Sequence, residues 1–519
     1  MFRRIKHRDI LNAHNDVLEA IFKIKKILPS ECADYNLERV ISSKAYGYHT
    51  NLDEGYYQYF RIKLALLPFL KFKLLSSKVA YYLVYINQMI LKKLLKERKD
   101  ELNLVRVDKK QKDSFKCFNN YNIFFAGSAT YVRVAVLYIS KSKNNNILII
   151  PRKLLNLEVL NLIPSDKVLI FEDFITDEIY SEYINFKKEC NQTFVNNKDF
   201  LKKVFYLDDE NFYKLIDKGL KNVFGYLLPE AYLFCKVYEN IFEIIKPKNV
   251  VAIRARKIYD RALYETANKN HIKCYALLHS NIGVGPRFIN SMGHFQKLSG
   301  IFVWGERQAE LIRNDKYSIV DNIHISGSPL FTRALHNKKN NNYKNNTKTI
   351  LYAASKDDLS EVSALVTFLD QQGDNVNLII KVHPGERTEM YKKFSSIENV
   401  KIVHSSKSLE SLLEFSDVCI TTVSESSLQA MLYSVPVLFF IINKKWNNLI
   451  DSLYTFNNDE RSICIVDSKD QLFKRLNSII YDERYRMDLV KKQQKVLQKR
   501  VKMYDGDESP VLFIDKVLN

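Results

Sequence analysis

Two short polar motifs in the last third of this 519-residue chain carry side chains of the kind that bind phosphate groups. The first follows an apolar run at residues 376–380, and the second follows another at residues 418–420. Each motif therefore places hydroxyl, imidazole or ammonium donors where a buried strand is predicted to end. The motifs read Lys381-Val382-His383-Pro384 and Thr422-Val423-Ser424-Glu425-Ser426-Ser427.

This placement predicts a pocket for a nucleotide monophosphate or diphosphate. Ligands of open α/β sheets gather at the carboxyl ends of the strands, and free N–H groups at a helix start attract phosphate. His383 can donate a hydrogen bond to such a phosphate, Pro384 can fix the turn, and the serines can hold the remaining oxygens. Singly, each motif is also explained as a strand-end or helix cap. Together, at the spacing of an α/β domain, they favour the functional interpretation.

The rest of the chain supplies the strands and helices that position these motifs. An apolar run that ends in a Gly-Ser turn near residue 127 begins an alternation of buried strands and helices. An Asn- and Lys-rich segment interrupts it, and a second set of strands follows. We therefore predict an α/β fold of two Rossmann-like doubly wound domains that face each other across a cleft. The predicted parts are a basic helical extension (1–118), an N-terminal domain (119–336), a linker (337–348), a C-terminal domain (349–481) and C-terminal helices that pack back on the cleft (482–519).

Composition and charge limit the class of protein. A hydrophobic content of 46% with 11 prolines and 14 glycines is typical of an ordered globular chain. Seven cysteines without metal-type or paired spacing favour a reducing compartment, and no secretory signal is found. We therefore predict a cytoplasmic protein. The formal net charge of +20 fits an anionic membrane face, acidic substrates or nucleic acid. No nucleic-acid-binding motif occurs, so we expect no nucleic-acid partner.

The most hydrophobic stretch, residues 56–95, admits two interpretations. Basic residues interrupt it, which excludes a clean membrane-spanning helix. Its apolar blocks and lysines can attach the protein to the anionic inner face of the cytoplasmic membrane. Alternatively, the same pattern describes a packed helical hairpin.

The C-terminal motifs resemble those of a known group of enzymes. Four segments are similar to the C-terminal half of GT-B glycosyltransferases that build bacterial surface polysaccharides. They are Lys-Val-His-Pro, Ser416-Asp417-Val418, Thr-Thr-Val-Ser-Glu-Ser-Ser before a helix, and Val435-Pro436-Val437. This group includes sialyl- and polysialyltransferases with His-Pro and Ser-Ser motifs, Kdo transferases and CDP-glycerol polymerases. The resemblance spans residues 120 to 515. It implies a GT-B fold with an N-terminal acceptor domain and a C-terminal domain that binds the nucleotide donor.

The same resemblance extends to two segments upstream. Ser326-Gly327-Ser328 matches the strand end that leads to the interdomain linker, which implies donor contacts. Gly327 would let the backbone approach the ligand closely. His279 stands where relatives carry His-Gly in the cleft, although Ser280 replaces that glycine here. The resemblance makes His279 a candidate to activate the acceptor, and the alternative is a structural histidine at a strand end.

A base for the acceptor is implied near the third strand of the N-terminal domain. Glu172 and Asp173 occupy a place where the sialyltransferases carry an acidic pair followed by Gly, here replaced by Phe174. Burial raises the pKa of such a carboxyl toward working pH, which suits a general base. The alternative is that Asp173 caps a helix. Arg254 and Arg256, after another strand, can bind an anionic acceptor or donor carboxylate, or lie in solvent.

The sequence therefore predicts a metal-independent glycosyltransferase of capsule or lipopolysaccharide synthesis. It would move a sugar from a CMP-activated acidic donor, sialic acid, Kdo or a related nonulosonic acid, to a glycan or lipid-linked acceptor. A CDP-glycerol or CDP-ribitol phosphotransferase and a UDP-sugar transferase of the same fold are alternatives. A noncatalytic glycan- or nucleic-acid-binding protein is an alternative from another class. Metal-type carboxylate spacing, a phosphate loop and a dinucleotide fingerprint are missing from the sequence, so we expect neither a metal nor a cofactor.

Overall fold

A computed structural model of the chain describes most residues from 115 onward. The described residues are 27–29, 115–204, 206–207, 210–211, 217, 220–253, 258–279, 297–314, 320–330, 347–354, 359–383, 388–404, 407–422, 424–442, 450, 456–504 and 508–519. The hydrophobic stretch at 56–95 and most of the predicted helical extension lie outside them. In the described part, no helix combines the length and apolar character needed to cross a membrane.

A seven-stranded sheet of the described residues forms the centre of the N-terminal domain, and all its neighbouring strands are parallel. Its strands are β1 (Asn122–Phe125), β2 (Asn146–Ile150), β3 (Val168–Ile170), β6 (Asn249–Ile253), β7 (Lys273–Leu277), β8 (Gly300–Val303) and β9 (Ile323–Ile325). A separate antiparallel pair joins β4 (Tyr206–Leu207) to β5 (Glu210–Asn211). The order in the large sheet is β3-β2-β1-β6-β7-β8-β9.

Helices cover both faces of this sheet. They are α1 (Ala129–Ile139), α2 (Asp177–Asn196), α3 (Lys198–Val204), α4 (Leu228–Ile245), α5 (Ile258–Lys269) and α6 (Glu306–Arg313). All residues of β1, β2 and β6 are buried, as expected for a parallel sheet with two covered faces. Side chains alternate between the faces: Phe125 packs with residues of α2 and α4, whereas Phe124 packs with residues of α1.

The C-terminal domain repeats this architecture with a six-stranded sheet of described residues. Its strands, again all parallel, are β10 (Lys348–Ala353), β11 (Val376–Lys381), β12 (Val400–Val403), β13 (Val418–Thr421), β14 (Val437–Phe440) and β15 (Ile465–Val466). The order is β12-β11-β10-β13-β14-β15. Its helices are α7 (Leu359–Gln372), α8 (Glu410–Leu413), α9 (Ser426–Leu432), α10 (Asn458–Cys464) and α11 (Lys469–Tyr481).

Both sheets have the same switch of direction in their strand order. In the N-terminal domain the order reverses between β1 and β6, and in the C-terminal domain between β10 and β13. In open sheets of this kind, a crevice forms outside the carboxyl ends of the strands at the reversal. The predicted α/β class of two Rossmann-like, doubly wound domains is confirmed.

The end of the chain connects the two domains. Helix α12 (Glu483–Arg500) packs against α9, α10 and α11 of the C-terminal domain and against α6 of the N-terminal domain. Residues 500–504, here named the crossing segment, then pass over Gly305 and Gly327, and the amide of Lys502 donates to the carbonyl of Trp304 at 2.6 Å. The final helix, α13 (Pro510–Leu518), buries Val511 and Ile514 in the α1 side of the N-terminal core.

Candidate functional site

The switch point of the C-terminal sheet carries buried threonines. Thr421 ends β13, and its hydroxyl donates to the carbonyl of Ala353 at the end of β10 at 3.0 Å. Thr421 and Thr422 are both buried. The hydrogen bond ties together the carboxyl ends of the two central strands, which holds the crevice between them in shape.

The serines of the second motif follow directly. Ser424 and Ser426 join through their hydroxyls at 2.7 Å, and both residues are partly exposed, as is Glu425. Ser427 is buried, and its hydroxyl donates to the carbonyl of Ser424 at 2.8 Å. The N-cap of α9 is Glu425, whose side chain makes no capping hydrogen bond, so Ser427 does not cap the helix and its hydroxyl is instead held by the preceding turn. Ser424 and Ser426 have surface that a ligand can reach.

The first motif follows β11, which is separated from β13 by the central strand β10. Lys381 is the last residue of β11, which pairs with β10, and His383 follows it; both are partly buried. Burial lowers the pKa of Lys381 below its ordinary value. Glu410 opposes this shift, and Arg133 makes a smaller contribution that lowers the pKa further. Arg133 belongs to α1 of the N-terminal domain. A charge of the N-terminal domain therefore acts on Lys381, whose surroundings include both a carboxylate and a second cation.

The switch point of the N-terminal sheet is lined by aromatic rings. Gly127 follows β1, and the hydroxyl of Tyr259 donates to its carbonyl at 2.9 Å. A Cβ on this glycine would lie 2.1 Å from the Tyr259 ring, so a larger residue requires this ring to move. Tyr131, in the first turn of α1, packs on His279 with ring centroids 4.6 Å apart. His279, which lies just beyond β7, is only 8% exposed.

The acidic pair lies at the end of the edge strand β3 and is held by one residue. The Glu172 carboxylate accepts from the backbone N–H of Arg152 at 2.8 Å, and Asp173 forms an ion pair with the guanidinium of the same arginine. Burial raises the pKa of Asp173, and the charge of Arg152 partly offsets this rise. The helix-cap alternative for Asp173 is wrong, because the N-cap of α2 is Thr176.

The Ser326-Gly327-Ser328 segment lies beneath the crossing segment. Ser326 and Ser328 are almost fully buried, and the Tyr504 hydroxyl donates to the carbonyl of Ser326 at 3.0 Å. Gly327 has φ +68°, a left-handed conformation that favours glycine, and a Cβ there would lie 2.8 Å from the Lys502 carbonyl oxygen. The close backbone approach that this glycine permits is therefore to the chain's own crossing segment. Its contact with a donor stays a prediction.

Three predicted residues cannot be placed in this way. Arg254, Arg256 and Pro384 lie outside the described residues. Within the described part of the chain, no group of His, Cys, Asp or Glu side chains has the arrangement of a metal site.

The predicted residues thus lie at the carboxyl ends of the strands of the two sheets. The C-terminal sheet carries Lys381, His383, Thr422 and residues 424–427 there, and the N-terminal sheet carries Glu172, Asp173 and His279. Sequence reasoning missed four residues, which are Arg133, Arg152, Tyr131 and Tyr259. The Gly-Ser turn at 127–128 marked the start of α1 but not which of its residues face the cleft.

Comparison with known proteins gives structural likenesses alone. No family model matches the chain, and a search of curated proteins finds no match. One similar solved structure is a UDP-GlcNAc 2-epimerase from Neisseria meningitidis bound to UDP-GlcNAc (11% identity, 77% of this chain and 99% of that chain, TM-score 0.47). Another is HepE from Anabaena in complex with UDP and glucose (10%, 77% and 98%, TM-score 0.42). A third is the wall teichoic acid polymerase TagF (12%, 84% and 95%, TM-score 0.43). At these identities and TM-scores, the likenesses decide nothing about the activity of this chain.

Proposed function

We propose that this chain is a glycosyltransferase that uses a nucleotide-activated sugar, and that its donor is a CMP-activated acidic sugar. The proposal is carried by the donors that follow β11 and β13 on the two sides of the central strand β10, which are Lys381, His383, Ser424 and Ser426. Arg133 of the N-terminal domain adds a positive charge that acts on Lys381. In the proposal, a ligand with two negative groups binds these donors and this cation. A CMP-linked acidic sugar has two, the phosphate and the sugar carboxylate.

The residues around Lys381 suit the phosphate of this donor. In the proposal, Lys381 and His383 donate to the phosphate oxygens from the end of β11, and Ser424 and Ser426 donate from the end of β13, on the other side of β10. Hydrogen bonds from charged donors are stronger than neutral ones, and they strengthen further as negative charge develops on the departing phosphate. Donor binding and leaving-group stabilisation would therefore use the same side chains.

The chemical step transfers the sugar to an acceptor hydroxyl. The hydroxyl oxygen forms a bond to the anomeric carbon, the bond from that carbon to the phosphate oxygen breaks, and its electron pair leaves with CMP. A base takes the hydroxyl proton. General-base assistance of this kind contributes about 100- to 10,000-fold in rate.

We assign the base to Asp173 because of its surroundings. Its side chain is 21% exposed, so an acceptor can reach it, and burial raises its pKa, so it is a stronger proton acceptor than an ordinary aspartate. His279 is less accessible at 8% exposure and packs on Tyr131. Glu172 is engaged by the backbone of Arg152. These two are therefore assigned to shaping the acceptor side of the cleft.

The test is calorimetric titration of the full chain with CMP, CDP, UDP and GDP. We expect CMP to bind most tightly and Lys381→Gln to weaken it about 10- to 100-fold, the value of a hydrogen bond from a charged donor. The matched control is Lys401→Gln, because Lys401 is an exposed lysine on the adjacent strand β12. An equal loss of CMP affinity in both variants would contradict the assignment of Lys381 to the phosphate site. Preference for CDP or UDP would move the donor to a polyol phosphate or a neutral sugar, and no binding at all would reject the function.

A further inference from the structure

Helix α12 presents one long basic face away from both domains. Its 18 residues bury Leu489, Gln493, Val496, Leu497 and Arg500 against neighbouring elements. Arg484, Lys491 and Lys495 are exposed and recur at intervals of seven and four residues, which places them in one row along the helix. At 1.5 Å per residue, this row is about 16 Å long. Lys492 and Lys499 lie beside the row and are also exposed. We name these five residues the basic ridge.

The charge of the basic ridge is only partly balanced within the protein. Lys492 pairs with Asp488 at 2.6 Å, and Lys499 pairs with Glu460 at 3.2 Å. Among the described residues, no ion pair is formed by Arg484, Lys491 or Lys495. The central row therefore presents three positive charges to solvent.

An exposed apolar side chain accompanies this row. Met487 is 65% exposed and lies on the same helix face, between Arg484 and Lys491. A partner that is only a soluble polyanion gives such a side chain nothing to bury against. An anionic bilayer offers phosphate groups to the lysines and acyl chains to the apolar side chain.

We propose that the basic ridge, with Met487, is a docking surface for an anionic lipid bilayer. The charges meet the headgroup phosphates, and the Met487 side chain enters the interface. This assignment places a membrane contact on the C-terminal domain, and it holds whether or not the proposed sugar transfer is correct.

The experiment measures partition of the full chain onto vesicles of phosphatidylcholine with and without phosphatidylglycerol. We expect binding that requires phosphatidylglycerol and weakens as salt is raised, since salt screens exposed charges. Each lysine near an anionic surface contributes about fivefold in binding, so Lys491→Glu with Lys495→Glu should weaken partition more than about 25-fold. The milder pair Lys491→Gln with Lys495→Gln should weaken it about 25-fold and guards against misfolding of the first.

The matched control keeps the net charge the same. Lys469→Glu with Lys474→Glu makes an identical change at exposed positions of the neighbouring helix α11, and it should leave most of the binding intact. Equal loss in the control pair would show that net charge alone acts, and no loss in the ridge pair would place binding elsewhere; either overturns the proposal. Met487→Ser should weaken vesicle binding but not binding to the soluble polyanion heparin. Heparin binding without vesicle binding would also overturn it.

Discussion

Replacing Gly327 by alanine should loosen the contact between the crossing segment and the N-terminal domain. Gly327 has φ +68°, and an added Cβ would lie 2.8 Å from the Lys502 carbonyl oxygen, 3.2 Å from the Tyr504 ring and 3.3 Å from Pro510. Gly373 offers a matched control, because it also has a positive φ, +58°, but an added Cβ there would meet nothing within 4 Å.

The difference between the two variants isolates the cost of the contact. A left-handed conformation costs an alanine about 1 to 2 kcal/mol, and loss of freedom in the unfolded chain returns about 0.4 to 1 kcal/mol. Gly373→Ala should therefore lower the free energy of unfolding by about 1 kcal/mol. Gly327→Ala carries the same change and in addition crowds packed backbone, which costs about 1 to 3 kcal/mol. We therefore expect Gly327→Ala to lower the free energy of unfolding by about 2 to 4 kcal/mol.

The assay is urea unfolding followed by the fluorescence of Trp304. This residue is 1% exposed, its indole N–H donates to the Leu278 carbonyl at 2.8 Å, and its own carbonyl accepts from Lys502. The chain has two tryptophans, so Trp446→Phe leaves Trp304 as the reporter. In that background Gly327→Ala should lower the midpoint of the Trp304 transition, since the midpoint scales with the free energy of unfolding. Gly373→Ala should move this transition less.

A Trp304 midpoint that is unchanged in Gly327→Ala would refute the reasoning, because it would mean that the crossing segment accommodates the methyl group freely. Equal shifts in both variants would refute it in a different way, because the effect would then come from the backbone conformation alone and not from the crossing segment.

Three further predictions concern other residues. Asp515→Ala removes the buried acceptor of the Tyr138 hydroxyl, the Ser142 hydroxyl and the Lys143 amide. It should therefore lower the free energy of unfolding, measured by urea titration, by about 3 kcal/mol. Lys516→Ala, at an exposed position of the same helix, should change this free energy little. The pKa of Lys381 is lowered from the ordinary 10.5, so its charge is lost at a lower pH than that of a free lysine. CMP affinity in the parent should therefore fall as the pH rises through this folded pKa. A pH-dependent loss of the same size in Lys381→Gln would contradict the assignment. Asp173→Asn should reduce kcat by at least about 100-fold with little change in donor affinity. In the parent, the raised pKa of Asp173 should place the acidic limb of the profile of rate against pH above the ordinary aspartate value of 3.8. A variant that keeps its rate would exclude Asp173 as the base.

The strands were predictable because each is a local pattern. The apolar residues 147–150 form all but the first residue of β2 (Asn146–Ile150), and the apolar residues 250–253 do the same in β6 (Asn249–Ile253). A parallel sheet covered on both faces requires such continuous apolar segments, and turn residues mark their ends. The helical periodicity of residues 176–245 is a less complete guide. It shows neither the antiparallel pair of β4 and β5 nor the π-helical turn Val223–Leu227 that precedes α4, where Pro229 has no N–H to continue an α-helical ladder.

The sequence by itself thus determined which residues follow strand ends, and therefore that Lys381, His383 and Ser424 share one edge of a sheet. Tertiary structure alone decided which residues of the other domain lie near them. Arg133 is separated from Lys381 by most of the N-terminal domain in sequence, yet its charge lowers the pKa of that lysine. In the same way, the fold brings the crossing segment onto Gly327. Such contacts depend on how two domains pack, and packing is a property of surfaces assembled from distant segments, which no local pattern of residues records.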